Sequence, residues 1–198
     1  SNPSDNTSPT PITFSGNPGI GTAKAVMVTP NPDGSFDISF SFVVENTGDE
    51  PLTSVQLTDD LTAFYNATDL VVTDISSTGG NLNYNSSFDG QSDTNLLTGT
   101  DTLAVGESKT LTILLDDVEL TGTTRSLTNT AVASATSPDG TPVSDTSDAG
   151  TDTDSEDDGP TNNGDPTVVP FGEAELTISK TVATGEYTIG DVLTYTLT

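Results

Sequence analysis

Three polar side chains fall on strand faces whose other residues are apolar. Lys24, Asp59 and Asn129 each alternate with apolar neighbours, which are Val26 and Val28 for the first, Val55, Leu57 and Leu61 for the second, and Leu127, Ala131 and Ala133 for the third. If these are the buried faces, an amine, a carboxyl group and a carboxamide point into one core from the first, a middle and the last strand.

Burial would make these three groups reactive toward one another. Apolar surroundings favour the neutral forms of a lysine amine and an aspartic acid. A neutral Lys24 amine is a nucleophile, and a protonated Asp59 can polarise the side-chain amide of Asn129 as an assisting acid. The fold would hold the groups together, which favours an intramolecular reaction. The expected product is a Lys24–Asn129 isopeptide bond, formed with loss of ammonia.

Two simpler arrangements use the same residues. Lys24 and Asp59 could form a buried ion pair while Asn129 hydrogen-bonds to backbone, because buried charges are usually paired. Lys24 could also lie at the rim of the domain with its stem packed and its amine in water. The mass of the intact chain separates the cross-link from both, since linkage removes one ammonia.

The elements that would position these residues are strands. Period-two alternation recurs from Gly19 onward, and turn sequences such as Asn31-Pro32-Asp33-Gly34 separate the segments. Strands are predicted at 24–28, 36–44, 55–61, 70–75, 81–85, 101–105, 109–115 and 126–135. Short strands at this spacing predict an all-β fold, an immunoglobulin-like two-sheet β-sandwich.

Composition shifts divide the chain into four parts. Residues 1–18 are predicted to be a flexible or extended leader, 19–147 the sandwich, and 148–173 an acidic linker. Residues 174–198 again alternate between apolar and polar residues. Gly190 follows Lys180 by ten residues, as Gly34 follows Lys24, which indicates an internal repeat. This segment is interpreted as the first two strands of a next repeat or as donor strands for a neighbouring subunit, and the chain as a piece of something longer.

Five short stretches occur in the order found in one known repeat family. They are Ala-Lys24-Ala-Val, Val-Val-Glu-Asn46-Thr-Gly48-Asp-Glu-Pro-Leu, Val-Gln-Leu-Thr-Asp59-Asp-Leu, Leu-Ala-Val-Gly106-Glu-Ser and Leu-Thr-Asn129-Thr-Ala-Val. Over residues 19–147, and again from Ala174, the chain resembles the tandem repeat of bacterial surface proteins called domain of unknown function eleven. It is also similar in architecture to isopeptide-forming adhesin and pilin modules. The resemblance implies an extracellular, cell-surface location, tandem stacking and a structural or adhesive role.

Composition removes several functional classes. The formal net charge is −26 with four basic residues, which argues against nucleic acid and anionic membranes as partners. The chain has no Cys and no His, so thiol chemistry, disulfides and Ser-His or Cys-His nucleophiles are excluded. We therefore expect a protein that is not an enzyme. No apolar run is long enough for a membrane helix.

Acidic residues crowd the predicted linker. Hard oxygen ligands on a flexible backbone suit calcium, and the candidate ligands are Asp148, Asp152, Asp154, Asp157 and Asp158. The alternative is a solvated, self-repelling linker that keeps neighbouring repeats apart. The pair Asp116-Asp117 is expected to point to opposite faces of its strand, which makes it a poor acid and base couple.

Taken together, the pattern predicts a structural module of an extracellular stalk, fibre or filament. Its expected partners are other copies of itself or neighbouring repeats, assembled in tandem or by strand complementation. The alternative is a binding module that recognises glycan or protein through loops at one end of the sandwich. For that role Tyr65, Tyr84 and Phe88 are the candidates.

Overall fold

Strands dominate the chain. The computed structural model describes residues 16–66, 70–71, 74–120, 126–153, 164–172, 178–182, 185–192 and 195–197. Among the residues that the structure describes, strand accounts for 51% and helix for 3%, which confirms the predicted all-β class. The elements are β1 (Gly21–Pro30), β2 (Phe36–Glu45), β3 (Leu52–Asp59), α1 (Thr62–Asn66), β4 (Leu70–Val71), β5 (Asp74–Gly80), β6 (Asp101–Leu103), β7 (Ser108–Leu120), β8 (Ser126–Asn129), β9 (Ala131–Thr136), β10 (Pro142–Thr146), β11 (Asp148–Ala149), β12 (Thr167–Pro170), β13 (Lys180–Val182) and β14 (Tyr195–Leu197).

Two sheets enclose the core. The larger has the order β11-β1-β2-β7-β4, and β5 also pairs with β7. The smaller has the order β10-β9-β3-β6. Their neighbouring strands are antiparallel, except that β11 runs parallel to β1. A separate ladder joins β12 to β8, which continues directly into β9. This arrangement is a β-sandwich.

The β1–β2 hairpin forms where its turn residues predict it. The amide of Gly34 donates to the carbonyl of Asn31, and the amide of Asn31 donates to the carbonyl of Ser35. Gly34 has a φ of 96°, a left-handed conformation that a side chain would disfavour. The tight turn fixes the register, in which Lys24 lies opposite Phe42.

Alternate side chains from both sheets fill the space between them. On β2 and β7 every second residue points inward, and β3 and β9 supply the opposite wall. Burial of apolar surface is the main stabilising contribution, at roughly 25 cal/mol per Å². The fully buried residues of these four strands include Ile38, Phe40, Phe42, Val44, Val55, Leu57, Ile113, Leu115, Ala131 and Ala133.

Residues 81–85 and the segment after β3 differ from the sequence prediction. Residues 81–85 do not form a named strand; Tyr84 makes only a single bridge, with Leu97. A short helix, α1, follows β3, and the amide of Thr62 donates to the carboxylate of Asp60 at 2.8 Å. This is a capping contact of the kind that starts helices. Alternation alone did not reveal it.

The predicted linker, residues 148–173, contributes two strands to the domain. β11 pairs with β1 through Ala23 and Lys24, and β12 pairs with β8. Val169 and Phe171 are buried, although the surrounding sequence is polar. The strands form because alternate residues of these short segments face the core while the others face solvent.

Residues near the carboxyl end form a small two-stranded sheet. β13 pairs with β14 in antiparallel register, with Lys180 opposite Leu197. The amine of Lys180 lies 4.1 Å from the ring centroid of Tyr195. Whether these strands start a next repeat or complement another subunit stays a prediction. Among the residues that the structure describes, no helix is long and apolar enough to span a membrane.

Phe171 provides a test of the contribution of the β12 segment to the fold. Its ring packs edge-on against Phe36 with centroids 5.7 Å apart. We expect Phe171→Ala to lower the free energy of unfolding by about 3 kcal/mol, because truncation leaves a cavity. Val168→Ala is the matched control, since Val168 is 52% exposed and should change stability by less than about 0.5 kcal/mol. Denaturant unfolding measures both, and equal effects would contradict the assignment.

Candidate functional site

Lys24 lies in the interior of the sandwich. It is on β1, it is 0% exposed, and its amine is 4.0 Å from the ring centroid of Phe40 and 5.1 Å from that of Phe42. The two rings offer weak cation–π stabilisation and exclude water from the amine. The arrangement with Lys24 at the rim is therefore wrong.

Asp59 is the partner of the Lys24 amine. Nζ of Lys24 lies 2.5 Å from Oδ2 of Asp59, and both side chains are fully buried. Asp59 is the last residue of β3, and its backbone pairs with Ala131 of β9. The contact therefore joins the two sheets through their side chains.

Burial perturbs both groups in opposite directions. Desolvation lowers the pKa of Lys24, and the charge and hydrogen bond of Asp59 offset part of that effect. Desolvation also raises the pKa of Asp59, against the opposing influence of Lys24 and of the Asn129 side chain. Each group is thus shifted toward its neutral form. A proton transfer across the short contact would neutralise both without exchange with solvent.

Asn129 lies beside Asp59 at the end of β8. It is 7% exposed, and its side-chain nitrogen donates to the carbonyl of Asp60 at 2.9 Å. Among the described residues, Oδ1 of Asn129 and Oδ1 of Asp59 are buried without a hydrogen-bond partner. The side chains of Asn129 and Asp59 form no hydrogen bond with each other in this geometry, since Nδ2 of Asn129 donates to Asp60 and Oδ1 of Asp59 accepts none. An unsatisfied buried oxygen is costly, so this pair of atoms marks an incomplete polar cluster.

Several backbone contacts converge at Lys24. Its carbonyl accepts hydrogen bonds from the hydroxyl of Thr167 at 2.7 Å and from the amide of Gly150 at 2.9 Å. Thr167 pairs directly with Asn129 in the β8–β12 ladder. One residue of β12 thus connects the backbone of Lys24 to the backbone of Asn129, which fixes β1 and β8 relative to each other.

Asn129 also borders a cavity open to solvent. The cavity has a volume of about 250 Å³, and its lining includes Asp60, Thr128 and Pro166 beside Asn129. The Lys24 side of the cluster is sealed by aromatic rings, whereas the Asn129 side opens outward.

All three predicted residues are buried, and the structure brings Lys24 into contact with Asp59 and places Asn129 beside Asp59. The arrangement contains a buried Lys24–Asp59 pair and an Asn129 that donates to backbone. The same arrangement also contains the amine, the carboxyl group and the amide that the cross-linking reaction requires. The ion pair and the reactants of the cross-link therefore share this geometry.

No protein-family model matches this chain. A comparison with curated proteins also gives no match. The assignment of a function to the site consequently depends on the geometry and chemistry of the residues themselves.

Three residues that contribute to the site were not identified from the sequence. Thr167 lies in the predicted linker, 148–173. The alternation of Thr167, Val169 and Phe171 just after the acidic run could have indicated a strand there. Phe40 and Phe42 lie in the predicted strand 36–44, but nothing in a strand pattern shows that their rings flank an amine.

The predicted calcium ligands lie partly in the described region. Asp148 is buried on β11 and Asp152 is exposed, whereas Asp154, Asp157 and Asp158 lie outside the described residues. The calcium site over this segment stays a prediction.

A different acidic cluster corrects the expectation for Asp116-Asp117. One carboxylate oxygen from each of Asp37, Asp116 and Asp117 lies within 4.8 Å of the others, so the adjacent pair does not point to opposite faces. The reason is a bulge: the β2–β7 register shifts between Phe36 and Ile38, and Asp117 has a φ of 50°. The side chain of Asn31 donates to Asp37 at 2.9 Å and lowers the pKa of that carboxyl.

The aromatic candidates for ligand binding pack inward. Phe88 is buried, and its ring meets that of Tyr84 edge-on with centroids 6.5 Å apart. The hydroxyl of Tyr65 donates to the carbonyl of Asp89 at 3.0 Å, and Tyr65 and Tyr84 are partly buried against the core. These three side chains therefore contribute to the packing of the domain, and a glycan or protein ligand for them stays a prediction.

Variants that cannot cross-link isolate the pH dependence of each buried group. In Lys24→Met, Asp59 keeps a raised pKa. The folded protein therefore holds a proton that the unfolded chain releases above pH 3.8, the ordinary pKa of an aspartic acid. Its stability should fall as pH rises from that value through the folded pKa. In Asp59→Asn, Lys24 keeps a lowered pKa. The unfolded chain therefore holds a proton on Lys24 up to pH 10.5, the ordinary pKa of a lysine, whereas the folded protein releases it at lower pH. Its stability should rise with pH toward that value.

The baseline for this comparison is the double variant, Lys24→Met with Asp59→Asn, which carries the same acidic surface. Denaturant unfolding from about pH 4 to about pH 10 gives the three profiles, and the slopes relative to the baseline should have opposite signs. Parallel profiles for all three proteins would show that neither group titrates as an isolated buried residue.

Proposed function

We propose that this chain is a load-bearing structural module of an extracellular stalk, fibre or filament, stabilised by an isopeptide bond between Lys24 and Asn129. The observation that carries the proposal is the sealed contact between the Lys24 amine and Asp59, with the unpartnered amide oxygen of Asn129 beside it. Such a cluster is costly to bury as it stands, and the reaction would convert it into an uncharged, covalently joined group.

The reaction uses only groups that the chain supplies. Transfer of a proton from Lys24 to Asp59 leaves a neutral amine and a protonated carboxyl group. The amine attacks Cγ of Asn129 while the carboxyl group hydrogen-bonds to Oδ1, which stabilises the developing negative charge. One amine proton passes through Asp59 to Nδ2, the bond between Cγ and Nδ2 breaks, and ammonia leaves. A new amide joins Nζ to Cγ, and Asp59 ends protonated.

The position of the bond suits a mechanical role. β1 is the first strand of the sandwich and β8 holds β12, its last strand along the chain. A Lys24–Asn129 bond would tie the first strand to the strand that pairs with the last one, so tension between the ends of the module would not extend residues 24–129. The chain contains no cysteine, so a disulfide cannot serve this purpose.

Location and assembly are part of the same proposal. The resemblance to tandem surface repeats supports an extracellular site and partners that are neighbouring repeats or other copies. The net charge of −26 supports a module whose neighbouring copies repel one another and which stays soluble at high local concentration.

The mass of the intact chain tests the cross-link. We expect the wild-type protein to be lighter than its sequence by one ammonia, because the reaction removes the Asn129 amide nitrogen. Asp59→Ala and Asn129→Ala should each have the full sequence mass. Asn95→Ala is the matched control: it removes an exposed amide that donates to Asp93, and it should keep the loss. A wild-type mass equal to the sequence value would end the cross-link hypothesis.

Single-molecule stretching tests the mechanical role. A Lys24–Asn129 bond prevents the chain between these residues from extending, so the wild-type module should lack roughly 350 Å of contour length, at about 3.4 Å per residue. Asn129→Ala should restore that length when pulled from residues near the two ends of the domain. Equal contour lengths for the two proteins would contradict a load-bearing bond.

A further inference from the structure

Strand β8 carries Asn129 but belongs to neither of the two main sheets. In the part of the chain that the structure describes, the ladder partner of β8 is β12, and Thr167 of β12 pairs with Asn129. The side chain of Asn129 also donates to the carbonyl of Asp60. The position of the Asn129 backbone therefore depends on the docking of a strand that comes much later in the chain.

The same strand contacts β1 through a buried hydrogen bond. The hydroxyl of Thr167 donates to the carbonyl of Lys24 at 2.7 Å, and Thr167 is 3% exposed. Loss of this donor would leave a buried contact that solvent does not replace, which is costly. Thr167 thus holds the backbone of one proposed reactant while it pairs with the backbone of the other.

Apolar side chains of β12 and the residue that follows it hold the strand in place. Val169 is fully buried, and Phe171 packs edge-on against Phe36, whereas Val168 points outward. The docking of β12 therefore depends on Val169 and Phe171. Thr167 instead contributes a directed contact beside the reacting groups.

The proposed cross-link is sensitive to this placement. An intramolecular reaction gains its rate from holding the groups in a reactive geometry, and a displacement of about 1 Å can lower that rate by a factor of about 100. Lys24 and Asp59 are already held in contact by the cores of both sheets. Asn129 is the reactant whose position depends on β12.

We propose that Thr167 is a positioning residue for the cross-link and that the Lys24–Asn129 bond forms only after β12 has docked. This inference rests on the proposed isopeptide bond and adds the element that controls when the bond forms. The chemical step is unchanged: Nζ and Cγ become joined in an amide, and ammonia leaves. A module that has not yet received its last strand would stay without the bond.

The rate of ammonia loss tests the role of Thr167. The full chain is produced by cell-free synthesis, and native mass spectra are recorded at successive times. Folded molecules carry fewer charges than unfolded ones in such spectra, so the cross-linked fraction is measured for folded molecules alone.

We expect Thr167→Val to slow the loss of ammonia by about tenfold to about a hundredfold, because it keeps the shape of the side chain but removes the hydroxyl. Thr167→Ser keeps the hydroxyl and should react at close to the wild-type rate. Val168→Ala is the matched control on the same strand and should leave the rate unchanged, since Val168 is 52% exposed.

A purely structural role for Thr167 predicts a different result. It would reduce the fraction of folded molecules and leave the rate in those molecules unchanged, so an equal rate in folded Thr167→Val and wild type would overturn the proposal. Thr167→Ala provides the same comparison should Thr167→Val fold poorly.

Val169→Asp tests the requirement for the whole strand. A charge at this buried position should displace β12, so we expect folded molecules of this variant to keep the full sequence mass. Phe171→Ala is the milder variant, and its rate in folded molecules should also fall. Ammonia loss at the wild-type rate in both variants would contradict the requirement for β12.

The two proposals fail in different ways. A wild-type chain that keeps the full sequence mass throughout rejects the isopeptide bond and, with it, the role of Thr167. Loss of ammonia at the same rate with and without the Thr167 hydroxyl rejects the positioning role and leaves the bond in place.

Discussion

The contact between the Lys24 amine and the Asp59 carboxyl group is the constraint on which the interior of this sandwich depends. Neither group can remain charged alone in an apolar core, so each requires the other at hydrogen-bond distance. Because β1 belongs to one sheet and β3 to the other, this requirement fixes how the sheets face each other. The aromatic rings of β2 complete the enclosure by keeping water from the amine.

The proposed bond would change the character of this core. Before reaction, the cluster contains two desolvated groups in hydrogen-bond contact and two oxygens without a hydrogen-bond partner, Oδ1 of Asp59 and Oδ1 of Asn129. After reaction, the lysine nitrogen is part of an amide and the carboxyl group is a neutral acid that can hydrogen-bond to it. The polar cluster would then stabilise the fold without the cost of buried charge. A chain without cysteine would gain a covalent tie from residues that also specify its packing.

Much of the site could be predicted from the alternation of residues along the strands. A period of two shows which face a side chain occupies, so Lys24, Asp59 and Asn129 could be placed inside before the structure was known. Features governed by local backbone geometry could not. The bulge that gathers Asp37 with Asp116 and Asp117 depends on one left-handed residue, which no period of two shows. β12 differs from the bulge, since its alternation is visible in the sequence but is short and follows an acidic run that favours a linker.

The order of the strands has a consequence for how the domain is completed. β12 is the last part of the sandwich along the chain, and an acidic stretch separates it from β11. A polypeptide that emerges from the ribosome or an export channel amino end first would present β1, β2 and β8 well before Phe171 is available. The space between β1 and β8 that β12 fills would stay open during that interval. The folding of the module is therefore completed only when its final residues have emerged.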